Sequence, residues 1–451
     1  MKTLEQIAAE LQGYDPQAMS AADVLAFLSR LVVPVQDVVE LPLFEAFGRV
    51  LANDVISPFD VPPHDNSAMD GYAFDGRQLA AHAALELEVV GTALAGKAWQ
   101  GSALPGQCVK IMTGAIMPPG LDTVVPQELV KLQPAGGSAE STRISIPPGL
   151  LRAGDNRRLR GEDLMQGKPA LRKGELLTPA RLGLAASLGL ETLATWRPLR
   201  VAYFSTGDEI LSLGEAPREG AVYDSNRYTV FGMLNRLGCQ VIDMGVVRDD
   251  PVLLEAAFAR AAAQADAVIT SGGVSVGEAD FTKAMMKKLG DVAFWRIAMR
   301  PGRPMAVGRI LPEKSNISPE LAGQDGYRNN SNPRGAILFG LPGNPVAVMV
   351  TFLAFVRPAL LQMMGANAVA PPLLKARSTE SIRKKPGRTE YQRGWVSTAP
   401  DGSLQVRTTG NQGSGVLSSM AEANGLIMLH HAQGGVAVGD EVDVMMFEGV
   451  L

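Results

Sequence analysis

The sequence contains few of the residues that usually build disulfide frameworks, zinc sites and nucleophilic dyads. It has two cysteines and four histidines among 451 residues. Cys108 and Cys239 form neither a disulfide framework nor a CxxC metal site, and we expect both to be small buried apolar side chains. The histidines show no metal-ligand spacing and no link to a serine or cysteine nucleophile; they are His64, His82, His430 and His431. Histidine or cysteine chemistry is therefore not expected at an active site.

A basic surplus and a long apolar run are also missing. The formal net charge of −4 argues against a nucleic-acid partner. The longest nearly unbroken apolar run covers residues 346–356, whereas a helix that spans a bilayer needs about 20 residues. Residues 1–17 lack the apolar core of a signal peptide, so no export is predicted. We expect a cytoplasmic protein with no nucleic-acid and no membrane partner.

What the chain does contain is globular in composition, with 46% apolar and 20% charged residues. Its length predicts two to four domains. Residues 198–365 alternate between apolar strand patterns and helical patterns, which predicts parallel strands joined by crossover helices. One of these helices begins with Asp250 as its cap and Pro251 at its first position.

The flanking segments have different patterns. Residues 40–195 are rich in proline, glycine and short mixed strands, and periodicity does not define their topology. Residues 368–451 contain short alternating segments that are typical of a small β-barrel or sandwich. Residues 312–335 are polar and turn-rich, and we expect a disordered insertion between two strands.

Four loops follow the predicted strands of the central segment: "STGDE", "VRDDP", "SGGVSVGEAD" and "GLPGNP". In an open α/β sheet, ligands bind beyond the carboxyl ends of the strands. We therefore expect these loops to converge on an active face. The "SGGVSVG" turn, residues 271–277, offers backbone N–H groups to an oxyanion, although glycines in such a turn can also serve only its tight bend. The chain has no GxxxxGK[ST] motif, which excludes a P-loop.

Seven acids lie at or near the same strand ends: Asp208, Glu209, Asp224, Asp249, Asp250, Glu278 and Asp280. Some are expected to cap helices, and the alternative for any single one is a solvated carboxylate. Carboxylates beside a phosphate cradle become compatible with phosphate if Mg²⁺ lies between them. The pattern predicts a site for metal-assisted phosphate chemistry.

A group of arginines supplies the positive charge in "FWRIAMRPGRPMAVG". Arg296 and Arg300 are four residues apart, and Arg303 follows in a turn. Whether the segment is helical or extended, the first two are expected on one face and able to bind an oxyanion together. The alternative is an ordinary pair of solvated arginines.

Several motifs together resemble one family. They are "DNSAMDGYAF" (65–74), "IMTGAIMP" (111–118), "RGED" (160–163), "FSTGDE" (204–209), "YDSN" (223–226), "SGGVSVGEADFTK" (271–283), "FGLPGNPVAV" (339–348) and "GNQGSGVLSS" (410–419). Their order and their spread over essentially the whole chain resemble the molybdopterin molybdenumtransferase family, which includes the E domain of gephyrin. The glycine loop alone is shared with molybdopterin adenylyltransferase, whereas the flanking motifs are not.

The resemblance implies a multidomain α/β plus β fold in an elongated subunit. Its parts would be an N-terminal extended or linker domain (1–45 and 150–197), an inserted β-rich domain (46–149), a central doubly wound α/β domain (198–367) and a C-terminal β-barrel (368–451). It also implies a homodimer whose active site is shared between subunits, and it makes the molybdopterin adenylyltransferase and acceptor molybdoenzymes candidate partners. The implied reaction inserts molybdenum from molybdate into adenylylated molybdopterin, with Mg²⁺ present, and releases AMP.

Site residues are carried over by motif. The family implies catalytic roles for Glu209, Asp249, Asp280 and Asp163, the first three also as metal ligands. The implied substrate-binding residues are Asp70, Thr113, Thr206, Asp224, Asn226, Ser271, Gly272, Gly273, Ser275, Gly277, Arg296, Arg300, Pro342, Pro345, Arg393 and Ser414. Asp70, Thr113 and Asp163 would come from the partner subunit.

One departure and two alternatives accompany the resemblance. Members of the family commonly carry lysine where this chain has Arg296 and Arg300, which keeps the charge but changes the geometry of oxyanion binding. A second enzymatic interpretation is adenylyl transfer to molybdopterin, against which the full-length flanking domains argue. A third is a gephyrin-like scaffold without catalysis, which the intact set of acids disfavours.

Overall fold

The computed structural model describes residues 2–134, 142–273, 281–311, 335–367 and 370–448. Its α-helices are Leu4–Ala9 (α1), Ala21–Leu31 (α2), Pro179–Ser187 (α3), Ser225–Arg236 (α4), Pro251–Gln264 (α5), Phe281–Leu289 (α6), Pro345–Thr351 (α7), Arg357–Met363 (α8) and Ser418–Glu422 (α9).

The strands of the first half of the chain are Val38–Pro42 (β1), Val55–Ile56 (β2), Asn66–Ser67 (β3), Gly71–Phe74 (β4), Leu85–Ala93 (β5), Gln107–Ile111 (β6), Thr123–Pro126 (β7), Lys131–Pro134 (β8), Thr142–Ile146 (β9), Arg157–Arg158 (β10), Pro169–Leu171 (β11) and Thr192–Trp196 (β12). Those of the second half are Arg200–Thr206 (β13), Ile210–Leu211 (β14), Val222–Tyr223 (β15), Gln240–Val247 (β16), Ala267–Ser271 (β17), Gly290–Arg296 (β18), Met299–Arg300 (β19), Pro304–Ile310 (β20), Ala336–Leu341 (β21), Leu374–Ser378 (β22), Thr389–Thr398 (β23), Leu404–Thr408 (β24), Gly425–Leu429 (β25) and Glu441–Met446 (β26).

The chain divides into two compact units. The first contains residues 1–52, 174–178 and 192–451, and the second contains residues 53–173 and 179–191. Two helices that the sequence pattern does not mark, α1 and α2, begin the first unit, and each starts with a capping box.

The first unit contains a six-stranded sheet in the order β16-β13-β17-β21-β20-β18. The first four strands are parallel, as the alternating pattern predicts. One of the last two breaks this pattern: β20 is antiparallel to both β21 and β18, so β18 again runs in the direction of the first four. The expectation of parallel strands throughout is wrong at this edge, because the connection from β18 to β20, residues 297–303, is too short for a crossover helix.

Side chains of β13 alternate between two apolar layers, which explains why this strand is hydrophobic along its length. Val201 and Tyr203 pack in one layer, and Ala202 and Phe204 pack in the other. The first layer includes α4, α7 and α8, and the second includes α5 and α6. The predicted doubly wound arrangement is therefore confirmed.

One helical stretch in the described residues, Pro345–Met363, is long and apolar enough to cross a membrane by length and composition, with a mean hydropathy of 1.8. Its most apolar part is 78% buried inside the protein. It begins with Pro345 in its first turn after Asn344 and contains a π-helical turn over Phe352–Val356. Burial of this extent is typical of a core helix.

The C-terminal strands close into a barrel. The order β23-β24-β22-β26-β25 returns to β23, because β25 also pairs with β23. The predicted C-terminal β-barrel is confirmed. β19 joins its edge in parallel with β23, so the segment after β18 contacts the barrel.

The second unit is built on a curled sheet in the order β7-β4-β6-β5-β9-β8. Both faces are covered: Ala73 and Val109 pack in one small core, and Phe74 and Cys108 pack in another. This is the β-rich part that the family resemblance implies.

Both cysteines are buried, as expected. Cys108 is 0% and Cys239 is 6% exposed. Burial raises the pKa of each thiol to about 12. Neither thiol is therefore ionised near neutral pH.

A buried ion pair connects the start of the central sheet to the preceding linker. The carboxylate of Asp266, 6% exposed, accepts two hydrogen bonds from the guanidinium of Arg197, at 2.7 and 2.8 Å. It also accepts one from the backbone N–H of Arg200, at 2.8 Å. Burial alone would raise the pKa of Asp266, but these donors outweigh burial and lower it.

We expect Asp266→Ala to lower the free energy of unfolding by about 2–3 kcal/mol, because the half-buried guanidinium of Arg197 would lose its two hydrogen bonds to a buried carboxylate and keep only the exposed Asp37 as its counter-charge. A matched control is Asp37→Ala, which removes the exposed carboxylate on the same arginine and should cost less than about 1 kcal/mol. Urea unfolding followed by circular dichroism measures both. The contribution of Asp266 is present above its unfolded pKa and is lost as the pH falls through its lowered folded pKa. Equal losses in the two variants at neutral pH would contradict this assignment.

Candidate functional site

A cavity of about 830 Å³ lies at the carboxyl ends of the central strands and is closed on one side by residues of the barrel. Its walls include residues that follow β13, β17 and β21, so the structure brings together three of the four loops that the sequence marks. The predicted residues that line it are Thr206, Glu209, Asp224, Asn226, Ser271, Gly272, Arg300, Pro342, Pro345 and Ser414. All its lining residues belong to the first unit.

The fourth loop, after β16, contacts Asp208, which precedes the lining residue Glu209; Asp208, Glu209 and Asp249 together form an acidic edge. The backbone N–H of Asp249 donates to Asp208 Oδ1 at 3.3 Å. Burial, followed by the nearby carboxylates of Asp208 and Glu209, raises the pKa of Asp249. Its Oδ1 atom is buried without a hydrogen-bond partner. Asp250 serves instead as the cap of α5, accepting from Val252 N and Leu253 N.

The acidic edge is suited to a cation, although the described residues do not complete a ligand set. Within them, no group of three or more His, Cys, Asp and Glu side chains is arranged to hold a metal ion. Asp280 and Glu278 lie outside the described residues, as do Ser275 and Gly277. A single Mg²⁺ needs only one or two carboxylates together with substrate oxygens, and the unpaired Asp249 Oδ1 fits that role.

The lining of the cavity also contains basic side chains. Arg300, Arg303 and Arg388 line it. Behind them, Arg393 lies 1% exposed in the wall of a smaller cavity of about 250 Å³ that also contains Arg300. Burial, and then the charge of Arg300, lower the pKa of Arg393 to about 10.

The partners of Arg393 are uncharged. Its guanidinium donates to Ser419 Oγ at 3.0 Å and to the carbonyl oxygens of Asn411 and Gly413 at 3.1 and 3.0 Å. A buried cation held only by dipoles favours an anion nearby. The lining of the cavity therefore contains both acidic and basic side chains, and Arg393 lies next to it.

Two glycines at the end of β17 allow the backbone to pass close to neighbouring residues. Gly272 has φ +91°, and a Cβ there would lie 2.4 Å from the carbonyl oxygen of Thr206. Gly273 has φ +64°, and a Cβ there would lie 2.7 Å from the side chain of Thr282. Close packing thus requires both glycines. The predicted oxyanion cradle continues beyond Gly273 into residues outside the described ranges.

Arg296 and Arg300 do not lie on one continuous element. Arg296 ends β18, and its backbone pairs with Pro304, Pro16 and Met19. Arg300 belongs to β19, which pairs with the barrel. The expected shared face is wrong, since two separate strands with different partners replace one helix or strand. Arg300 lines the cavity and Arg296 does not.

The three residues expected to act from a partner subunit lie in the second unit. Asp70 Oδ1 accepts from Thr113 N at 2.7 Å and from Thr113 Oγ1 at 2.8 Å. These hydrogen bonds lower the pKa of Asp70, the backbone one most. Asp163 is exposed after β10. Both carboxylates are therefore available on the surface of that unit.

The polar lining residues that were not selected from the sequence are Ser205, Tyr223, Ser225, Arg303, Asn344, Arg388 and Gln412. A signal for Arg303 was present in the repeated "RP" of "RPGRP", which places Arg300 and Arg303 on either side of a glycine turn. Gln412 lies within the quoted motif "GNQGSGVLSS", whereas Arg388 had no comparable signal, because the fold of the barrel brings it to the cavity.

Three family models match consecutive parts of the chain. They are the MoeA N-terminal region (domain I and II) over residues 19–189, a probable molybdopterin binding domain over 202–362, and the MoeA C-terminal region (domain IV) over 375–447. Together they confirm the resemblance inferred from the motifs.

Complete relatives give the same result. A molybdopterin molybdenumtransferase from Haemophilus influenzae is 40% identical over 412 residues, which cover 91% of this chain and 94% of that protein. A protein of the same name from Nostoc sp. is 33% identical over 436 residues, 95% of this chain and 93% of that protein. The crystal structure of a molybdopterin biosynthesis moeA protein from Pyrococcus horikoshii OT3 superposes with a TM-score of 0.74 at 26% identity, covering 95% of this chain and 100% of that one. The chain therefore belongs to the molybdopterin molybdenumtransferase (MoeA) family.

Proposed function

We propose that the chain inserts molybdenum from molybdate into adenylylated molybdopterin, with Mg²⁺-dependent cleavage of the phosphoanhydride and release of AMP. The chain is a transferase of molybdenum cofactor biosynthesis, as its family and its relatives show. The proposed reaction is supported by a single cavity whose lining contains both carboxylates, Glu209 and Asp224, and guanidinium groups, Arg300 and Arg303.

The basic side chains support binding of molybdate. Molybdate is a dianion with tetrahedral oxygens, and guanidinium groups bind oxyanions through paired N–H donors. Arg300 and Arg303 line the main cavity, and Arg393 adds a buried positive charge behind Arg300. Ser414, held by Asn344 Nδ2 at 3.0 Å, adds a hydroxyl group to the same cavity.

The acidic edge supports binding of Mg²⁺ at the phosphoanhydride. Glu209 and Asp249 would hold the ion, and Asp280 is a further candidate ligand from the sequence. Mg²⁺ would supply charge neutralisation of the phosphate oxygens as the bond to AMP breaks. The pKa of Asp249 is raised, so its ionised form is disfavoured by burial and by neighbouring acids. A cation beside it would stabilise that ionised form.

The sulfur ligands of molybdenum must come from the substrate. Cys108 and Cys239 are the two cysteines of the chain, and their buried thiols have pKa values of about 12. A metal ligand has to be a thiolate, so neither residue is suited to that role. The dithiolene of molybdopterin fits the requirement.

We further propose that the active form is a homodimer with shared sites. The main cavity is lined by the first unit alone, whereas Asp70, Thr113 and Asp163, to which the family motifs assign site roles, lie in the second unit. A partner subunit would supply them.

The reaction can be separated from adenylyl transfer with a direct assay. We expect the purified protein to release AMP from adenylylated molybdopterin only when molybdate and Mg²⁺ are both present. It should not release pyrophosphate from ATP with molybdopterin. Release of AMP at the same rate without molybdate, or production of pyrophosphate, would contradict the proposed reaction.

The molybdate site is tested with Arg300→Ala, which should raise the molybdate concentration for half-maximal activity by about tenfold or more. Tenfold corresponds to about 1.4 kcal/mol, the size of one charge-assisted hydrogen bond. Arg300→Lys should recover most of the loss, since it keeps the charge. Arg296→Ala is the matched control, because Arg296 is exposed and outside the cavity.

Titrations of molybdate at saturating pterin substrate, and the reverse, distinguish the role of Arg300. A shift confined to the pterin titration would assign Arg300 to the pterin substrate instead. An equal shift of the molybdate titration in Arg296→Ala would show that Arg296 and Arg300 bind molybdate together, as inferred from the sequence.

The shared site is tested by mixing two inactive variants, Asp70→Ala and Asp249→Asn. If Asp70 acts on the partner's cavity, a mixed dimer carries one intact site, and up to about a quarter of wild-type activity should return after subunit exchange. Exchange is monitored by tagging one variant and recovering both chains on one affinity column. Recovery of mixed dimers without activity would rule out a site completed by the partner.

A further inference from the structure

Two polar residues of the cavity lining, Asp224 and Asn226, here called the floor, have unpaired oxygens that metal and phosphate binding do not explain. We propose that Asp224 and Asn226 recognise the pterin by its pyrimidinone edge, accepting hydrogen bonds from the exocyclic 2-amino group and the adjacent ring N3–H. The inference rests on the proposed function, because it names which part of the pterin substrate the floor binds.

Buried acceptor atoms without partners concentrate at this floor. Asp224 is 3% exposed and Asn226 is 8% exposed, and both line the main cavity. Asp224 Oδ2 and Asn226 Oδ1 are buried without a hydrogen-bond partner, as is the hydroxyl oxygen of Thr206 beside them in the lining. Buried polar atoms are nearly always paired, and leaving one unpaired costs about 1–3 kcal/mol. A cluster of unpaired atoms in one cavity indicates that a ligand supplies the donors.

The protein itself determines which oxygen of Asp224 is free. Oδ1 accepts from Ser205 Oγ at 2.9 Å and from the backbone N–H of Arg227 at 3.1 Å, the latter as the cap of α4. Ser205 in turn contacts the hydroxyl groups of Tyr203 and Ser271, at 2.9 and 3.2 Å. This buried network holds the carboxylate in one orientation and leaves Oδ2 without a partner.

The orientation of Asn226 is determined in the same way. Its Nδ2 group donates to the carbonyl oxygen of Gly343 at 2.7 Å. A carbonyl oxygen can only accept, so the amide nitrogen must face Gly343 and Oδ1 must face away from it. Asn226 therefore presents an acceptor.

The two residues together present acceptors for two donors, and this pattern selects among the heterocycles of the substrate. A pterin carries two neighbouring donors, the 2-amino group and N3–H, on one edge. The Watson–Crick edge of adenine presents one donor, the 6-amino group, and one acceptor, N1. Its N1 acceptor would face an acceptor oxygen of the floor, and no hydrogen bond could form there. Two free acceptors and no free donor on these two residues thus match the pterin and disfavour the adenine of the AMP moiety.

The test compares two free heterocycles that differ at one position: pterin (2-amino-4-oxopteridine) and lumazine (2,4-dioxopteridine). Lumazine replaces the 2-amino donor with an acceptor oxygen. We expect the wild-type protein to bind pterin at least about tenfold more tightly than lumazine, since the unmatched oxygen leaves a buried acceptor unpaired. Fluorescence titration in buffer without divalent ions measures both affinities.

Asp224→Asn changes one hydrogen-bond acceptor of the floor into a donor and hardly changes the shape of the side chain. The asparagine oxygen can continue to cap α4, while its NH₂ group replaces the free acceptor with a donor. Pterin should bind at least about tenfold more weakly to this variant, and lumazine should bind as tightly as to the wild type or more tightly. The matched control is Asp250→Asn, the same change at the exposed cap of α5, which should leave both affinities unchanged.

Several results would overturn the inference. They are equal affinity of the wild type for pterin and lumazine, no saturable pterin binding below about 1 mM, and equal behaviour of Asp224→Asn and Asp250→Asn. Binding of pterin only when Mg²⁺ is present would identify the floor as a cation site, and selective loss of AMP binding in Asp224→Asn would identify it as an adenine site. The wild-type comparison decides the matter even if Asp224→Asn does not fold.

Failure of this inference can be distinguished from failure of the proposed function. Molybdate-dependent AMP release by the wild type, without a preference for pterin over lumazine, would refute the pterin floor alone. A preference for pterin that depends on Asp224, without molybdate-dependent AMP release, would refute the reaction and leave the floor in place.

Discussion

Burial of the parallel strands on both faces is the constraint on which the site depends. Apolar layers cover both sides of β13 and β17, so polar side chains are costly along most of their length. They are accommodated where the strands end, at Ser205, Thr206 and Ser271. Because parallel strands end at the same edge of a sheet, residues far apart in the chain form one cavity. The position of the cavity therefore follows from the requirement for a dry core.

Two charged groups near the cavity, Asp249 and Arg393, are held at a cost to the folded protein. Asp249 is ionised less readily than an ordinary carboxyl group because of burial and neighbouring acids, and Arg393 loses a proton more readily than an ordinary guanidinium because of burial and Arg300. Each would gain from an ion of opposite charge. Unpaired oxygens of Asp224 and Asn226 add to this cost. A protein selected for stability alone would pair or replace these groups, so their persistence fits a site that is completed by its substrates.

Much of the central fold was predictable because it depends on local patterns. Apolar runs of strand length, helical stripes, and the Asp250–Pro251 helix start all lie within short stretches of sequence, and the structure contains each of them. The antiparallel pair β18 and β20 was not predictable in the same way. Its residues satisfy the apolar requirement of a strand in either direction, and the short connection between the strands, rather than their composition, reverses the chain.

The sequence by itself determined the family, the alternation of the central segment, the barrel and the set of acids, glycines and arginines from which the site is built. These features depend on residue type and on spacing along the chain, both of which can be read directly from the sequence. Only the tertiary structure decided that Arg300 reaches the cavity while Arg296 does not, since β19 turns away to pair with the barrel. The fold of the barrel likewise brought Arg388 and Gln412 to the same cavity. The tertiary structure also decided that Oδ2 of Asp224 stays free, because Ser205 and the first turn of α4 both donate to Oδ1.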